Sequence, residues 1–211
     1  MKAVFSTVFL TIAAICLFTL SACKDEREPV ETMFAGFMTG YTDTEGYISV
    51  LNDDFGHQYM VSEKSDKLDP DTLYRLVATI ALDEKQTARI LQTANTMSYS
   101  AIKDYQLPDS MRGRDPIEIQ GIYIGGGFLN INAGVKVQKE GTIHTLVYTY
   151  KNMPGRLKFK LYHNAYGDGE VYTKRAYISI PLQGYGLSRN DTVSLSCKGY
   201  QEDYEFKLVY K

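Results

Sequence analysis

The chain has 211 residues, 23 Lys and Arg against 25 Asp and Glu, 17 Tyr and no Trp. That length accommodates one large β domain or two small ones, and the near-neutral balance argues against a nucleic-acid binder, whose footprint is a basic patch. Beyond the N-terminus no apolar run reaches the roughly 20 residues that cross a bilayer.

The first element is a leader. Met1-Lys2 is a basic start, Ala3 to Leu20 is apolar, and Leu20-Ser21-Ala22-Cys23 closes the run with small residues. This is the pattern of a secretory signal peptide, assigned to residues 1–22. A transmembrane helix is the competing reading. Thr7, Thr11, Thr19 and Ser21 dilute the run, and the flank Lys24-Asp25-Glu26-Arg27-Glu28 is charged at once. The cysteine directly after the small residues makes the segment similar to a bacterial lipoprotein signal. The resemblance implies that Cys23 becomes the first mature residue and carries acyl chains, through which the membrane is a partner. One acyl chain holds marginally, at about 0.8 kcal/mol per buried CH2, and two or more hold stably. The charged flank is similar to the surface-export signal of lipoproteins in the Bacteroides group. It implies an outer-membrane protein facing the cell exterior; a solvated tether on a periplasmic protein is the alternative.

Of the three cysteines, Cys16 leaves with the leader and Cys23 takes lipid, so Cys197 remains without an internal disulfide partner. Alternation puts Val193, Leu195 and Cys197 on one face, which predicts a buried thiol.

Residues 23–33 read as a tether. Short alternating runs follow: Phe34 to Tyr41, Tyr47 to Leu51, His57 to Val61, Leu73 to Leu82 and Thr87 to Tyr99, with turns at Asp43-Thr44-Glu45-Gly46, Asn52-Asp53-Asp54-Phe55-Gly56 and Asp83-Glu84-Lys85. Ala88 to Ala94 fits helix on propensity and strand on alternation, with strand favoured. Five strands in this span suit a small OB-like barrel over 34–106. The polar stretch Asp104 to Pro116 reads as a seam, with a linker over 107–116. From 117 to 211 six or seven strands at regular spacing read as an antiparallel β-sandwich. The fold class expected is therefore all-β, a small OB-like barrel followed by a sandwich.

The order Tyr123-Ile124-Gly125-Gly126-Gly127-Phe128-Leu129-Asn130-Ile131, then Leu161-Tyr162-His163-Asn164-Ala165 with Gly167-Asp168, then Tyr177-Ile178-Ser179-Ile180-Pro181-Leu182, resembles the NigD-like lipoproteins of the Bacteroides group. Asp53-Asp54-Phe55-Gly56 with the later Asp83-Glu84 is similar to their first domain. The resemblance implies an OB-like domain plus a C-terminal sandwich and an association with bacteriocin immunity. It brings no catalytic residues. This chain has Tyr123 where a tryptophan is expected.

Residues that could carry chemistry are few. Gly125-Gly126-Gly127 lacks the Gly-Lys-Ser/Thr ending and the following helix of a phosphate loop; glycines in a strand mark a bulge or a close backbone crossing. His57, His144 and His163 show no metal-ligand spacing. Asp53, Asp54, Glu118 and Glu170 are carboxylates without a facing partner, and no nucleophile elbow is present. The expectation is no catalysis, no cofactor, no metal and no nucleic-acid partner. Binding of a protein or envelope component is favoured, and a glycan is the alternative. Tyr suits exposed recognition, since its ring is apolar and its tip polar. Tyr166 and Tyr185, near turns, are the expected binding surface. Asp109-Ser110-Met111 is similar to an O-glycosylation site of secreted proteins in that group, which points to Ser110.

Overall fold

The computed structural model describes residues 31–139 and 141–211. The leader and Cys23 lie outside the described residues. Thr32–Lys211 forms one compact unit.

The first sheet holds β1 (Thr32–Thr42), β2 (Ile48–Asp53), β3 (Gln58–Met60), β4 (Leu73–Leu82) and β5 (Ala88–Asn95), in the spatial order β3-β2-β1-β4-β5. All four pairings are antiparallel. A parallel bridge between Val61 and Ala88 draws the open ends together, and Ser62 N–H donates to Ala88 O at 2.9 Å. This order and closure are consistent with an OB-like barrel. Alternation wins over helix propensity in β5, and β1 begins inside the span read as tether, at Thr32.

Three hairpins of this sheet share one local device. Asp43 Oδ1 accepts from the N–H groups of Glu45 and Tyr47, Asp53 Oδ1 from those of Phe55 and His57, and Asp83 Oδ1 from those of Lys85 and Thr87. The fourth residue of each turn has positive φ, at Gly46, Gly56 and Gln86. An Asp that folds its carboxylate over the following amides is a self-contained turn. The barrel core is Met38, Ile48, Leu51, Tyr59, Leu76, Ala78, Ile80, Leu82 and Ala88. Each large apolar side chain removed from water there contributes about 1.5–3 kcal/mol.

The second half forms two packed sheets. One has the order β11 (Tyr172–Pro181), β8 (Phe128–Val137), β7 (Glu118–Gly125); the other has β13 (Asp203–Val209), β12 (Thr192–Lys198), β10 (Arg156–Asn164), β9 (Thr145–Met153), β6 (Ile102–Lys103). Pairings are antiparallel except β10 with β12 and β6 with β9. Leu129, Ile131, Leu157, Phe159, Ile178, Ile180, Val193 and Leu195 interdigitate between the sheets. Tyr148 is fully buried among them; its hydroxyl donates to Tyr99 O at 2.6 Å and its ring stacks on Tyr99 at 4.3 Å.

The chain passes from barrel to sandwich earlier than the polar seam suggests. Met97 N–H donates to Tyr177 O, Ser179 N–H donates to Met97 O, and Ile102 already pairs with Thr149. The stretch read as a linker, 107–116, is a packed strap. Leu107 is buried, Asp115 N–H donates to His163 O, and Arg112 donates to Asp104 Oδ1 (3.1 Å) and Tyr162 Oη (2.6 Å). Apart from Leu107 its ties are polar side chains and backbone amides, so hydrophobic patterning gives little sign of them.

A buried polar junction joins barrel and sandwich. Arg75 on β4 donates to Asp54 Oδ2 at 2.7 Å, to Asn130 Oδ1 at 2.8 Å and to Ser179 Oγ at 2.8 Å. Tyr123 Oη donates to Asp54 Oδ2 at 2.6 Å, and Asn130 Nδ2 donates to the same oxygen at 2.8 Å. Ser179 also donates to Asn130 Oδ1. The Asp54 and Arg75 side chains are 1% and 4% exposed. The glycine run is the hairpin turn between β7 and β8, with Gly126 at φ 60° and Gly127 at φ 84°. A Cβ on Gly126 would clash with Asp54 Oδ1. The glycines therefore permit a close approach of the Asp54 turn to the sandwich.

Candidate functional site

The sandwich carries a surface pocket of 630 Å3 lined by Lys103, Asp104, Tyr105, Tyr150, Lys151, Asn152, Gly184 and Tyr185. β6 and the turn after it bring Lys103 to Tyr105, β9 brings Tyr150 to Asn152, and the turn between β11 and β12 brings Gly184 and Tyr185. Tyr105 is 77% exposed, and the Lys103 ammonium lies 5.9 Å from its ring centre. Tyr185 forms the pocket's fixed wall. Its ring packs edge-on against Tyr150 (4.8 Å) and Phe159 (5.6 Å), its hydroxyl accepts from Ala101 N–H (3.1 Å), and Asn152 Nδ2 donates to its carbonyl (2.8 Å). Burial pushes the Tyr185 hydroxyl pKa up, so it stays protonated. Burial disfavours the charged form of Asp104, yet hydrogen bonds from Thr149, Arg112 and Tyr162 hold its carboxyl below the usual range. One exposed aromatic face, one fixed aromatic wall, an amide, a carboxylate and two ammoniums suit a ligand with an apolar face and a polar rim.

The residues singled out from sequence fall in different places. Tyr185 is half-buried in the sandwich, where an exposed position was expected, because its turn folds back onto β9 and β10. Tyr166 is 67% exposed on the loop after β10, with φ 51°, its hydroxyl 3.0 Å from Thr145 Oγ1. It is not among the residues lining the pocket. Ser110 is exposed in the short 3-10 turn Asp109–Met111. Cys197 is buried, and burial pushes its thiol up to about 12. Tyr105 was not singled out; its signal is a tyrosine between charged and polar neighbours, Lys103-Asp104 and Gln106.

Two histidines that sequence spacing left apart meet in space. His144 Nδ1 lies 2.9 Å from His163 Nε2, His144 Nε2 lies 3.2 Å from Asp168 Oδ2, and His163 Nδ1 donates to Pro116 O at 2.8 Å. The His144 and Asp168 side chains are 6% and 9% exposed. Burial first, and the neighbouring His144 as well, hold the His163 pKa below its ordinary value. Among the described residues no group of three His, Cys, Asp or Glu is placed to hold a metal ion.

A five-stranded barrel followed by a β-sandwich, joined through a buried polar junction, defines a class of two-module all-β proteins. The chain belongs to the NigD-like family: residues 100–209 match the model of the NigD-like C-terminal beta sandwich domain. Solved structures agree. A NigD-like immunity protein from Bacteroides caccae superposes with a TM-score of 0.71 at 26% identity, covering 84% of this chain and 97% of that one. A toxin-related protein from Parabacteroides distasonis gives 0.66 at 19% identity, covering 85% and 94%. A protein described as a lipoprotein from Bacteroides fragilis gives 0.61 at 13%, covering 85% and 98%. The last two speak to the fold alone. No curated protein matches the sequence.

Proposed function

We propose that the chain is a lipid-anchored, non-catalytic binding protein of the outer membrane, facing the exterior, that confers immunity to a bacteriocin by engaging a protein at the tyrosine-lined pocket. The observation that carries this reading is the pairing of an exposed Tyr105 with a rigid Tyr185 wall at an open pocket. The similarity to a NigD-like immunity protein over nearly its whole length supports it, as does the Leu20-Ser21-Ala22-Cys23 signal. The test is deletion of the gene in a producing strain, followed by exposure to that strain's own bacteriocin. Immunity predicts lost protection in the deletant and its return with the wild-type gene. Unchanged survival would sink it. Cys23→Ala should move the protein out of the membrane fraction or leave it unprocessed, and unchanged attachment would contradict the anchor.

A second reading, a glycan-binding accessory lipoprotein, draws on one observation. Tyr105 offers an exposed ring beside Asp104 and Asn152, the combination of stacking face and hydrogen-bonding rim that a sugar uses. Glycan binding by the purified protein, together with intact immunity in the deletant, would favour it.

A further inference from the structure

The outer face of the five-stranded sandwich sheet, β13-β12-β10-β9-β6, carries a charge pattern that the near-neutral balance conceals. On β10, Arg156, Lys158 and Lys160 point outward while Leu157, Phe159 and Leu161 are buried. Register sets Lys158 directly opposite Lys151 on β9. On its other side Lys158 neighbours Ser194, which faces Lys207 on β13. One row across four strands therefore reads Lys151, Lys158, Ser194, Lys207. Like charges directly opposite destabilise a strand pair, and strands lie about 4.8 Å apart. Glu205, 3.6 Å from Lys207, is the carboxylate paired to this row among the described residues.

Beyond this row β10 and β12 part. Their pairing ends at Lys160 and Ser196, and the strap enters the gap: Asp115 N–H donates to His163 O and Ile117 N–H to Lys198 O. The gap forms a 410 Å3 cleft whose lining includes Arg112, Arg114, Lys160, Tyr162, Lys198 and Asp203. Arg112 is neutralised by Asp104 and Asp109. Arg114, Lys160 and Lys198 have no ion-pair partner among the described residues. Three cations without an ion pair thus line a cleft with one carboxylate, Asp203, which register sets opposite Lys198, while the Lys160 ammonium lies 5.0 Å from the Tyr162 ring centre.

We propose that this cleft binds a phosphate-bearing group, with the lysine row as its electrostatic approach. A phosphate monoester carries about 1.5 to 2 negative charges and three strong acceptor oxygens at neutral pH. It can answer three cations at once, whereas a single carboxylate leaves two unmatched. A guanidinium such as that of Arg114 offers a planar fork matched to two phosphate oxygens. A cleft of this volume falls in the range of small-ligand pockets, about 300–1,000 Å3. The site is separate from the tyrosine pocket and does not depend on it.

The test uses the chain beginning at Lys24, which retains the compact unit Thr32–Lys211 and both cores. Glycerol 3-phosphate is titrated at low salt with acetate and polyglutamate alongside, and the protein is sedimented with phosphatidylcholine vesicles with and without phosphatidic acid. Glycerol 3-phosphate should bind at least tenfold tighter than acetate. Arg114→Gln with Lys198→Gln should weaken that at least tenfold at unchanged melting temperature, while Lys64→Gln on the barrel leaves it intact. Lys151→Gln should lower affinity two- to threefold at low salt and lose its effect at high salt, where exposed charges are screened. Sedimentation with phosphatidic acid that glycerol 3-phosphate displaces supports a lipid headgroup as the source, and ester binding without sedimentation supports a soluble ligand. Equal affinity for acetate, binding unchanged in the double variant, no phosphate binding at low salt, or polyglutamate binding at least as tightly as the ester overturns the proposal. The last result would assign the face to an acidic protein.

Discussion

The junction around Asp54 and Arg75 and the pocket around Tyr105 and Tyr185 are both built of polar and aromatic side chains, yet they stand in opposite physical states. At the junction the Asp54 and Arg75 side chains are taken from water and tied to several others across the two modules, with the partly buried Tyr123 bonded to Asp54. At the pocket Tyr185 is tied by a hydrogen bond and ring packing, whereas Tyr105 is exposed and meets only the Lys103 ammonium, 5.9 Å from its ring centre, among the contacts of the described residues. A buried network of several shared hydrogen bonds fixes geometry, and removing one member strands the rest. A polar or aromatic group left open to water has no structural debt and is free to meet a ligand. The adjacent Asp53 and Asp54 repeat the lesson: Asp53 folds back on its own turn, and Asp54 reaches the sandwich.

The sharpest break of this comparison is Arg75→Ala. Removing one partner of a buried ion pair costs about 3–5 kcal/mol, so urea denaturation should show a loss of that order, with the barrel and sandwich no longer unfolding together. A loss under about 1 kcal/mol would mean that water already reaches Asp54. Next in size is Tyr185→Ala, which removes an aromatic wall packed on Tyr150 and Phe159. About 2–4 kcal/mol should be lost, and Tyr185→Phe should lose only the hydrogen bond from Ala101, about 1 kcal/mol.

Gly126→Ala should cost roughly 1–3 kcal/mol, from its left-handed φ and from the contact with Asp54. In an Asp54→Ala background the added cost should shrink, because the two positions share one contact. Full additivity would show that the turn does not touch Asp54.

A smaller effect comes from pH. His163 titrates below its ordinary value, so the unfolded chain binds more protons than the folded one as pH falls through about 6.5. Stability should therefore drop from pH 7 to 5. His144, Asp168 and Asp115 face the same cluster, and Asp115 opposes the shift. His163→Asn should flatten the slope in that window; an unchanged slope would assign it elsewhere. At lower pH, Asp53 and Asp104, both held below the usual carboxylate range, contribute stability that is lost as they protonate.

Much of the fold is legible in the sequence because strands announce themselves by alternation and turns by Asp and Gly. β10 reads Leu157, Phe159, Leu161 inward with cations outward, and β12 places Cys197 in the core as its period requires. The strap is less legible, since Arg112, Asp104 and Tyr162 hold it by hydrogen bonds that leave no apolar period. β6 is two residues long, too short for any pattern. The junction joins residues up to 104 positions apart, and His144 meets His163 across two strands. Tyrosine count alone does not separate Tyr148, locked in the core, from Tyr105. That distinction depends on where the strap returns to the sheet.

The most direct test of the central claim is Tyr105→Ala, read by melting temperature and by protection against the bacteriocin in the complemented deletant. An exposed ring contributes within about 0.5 kcal/mol of stability, and 1 kcal/mol shifts Tm by roughly 2–4 °C in a chain of this size. The account predicts a Tm within about 2 °C of wild type and loss of most of the protection. Full protection at unchanged Tm would contradict it, because the pocket would then be an open surface without a partner.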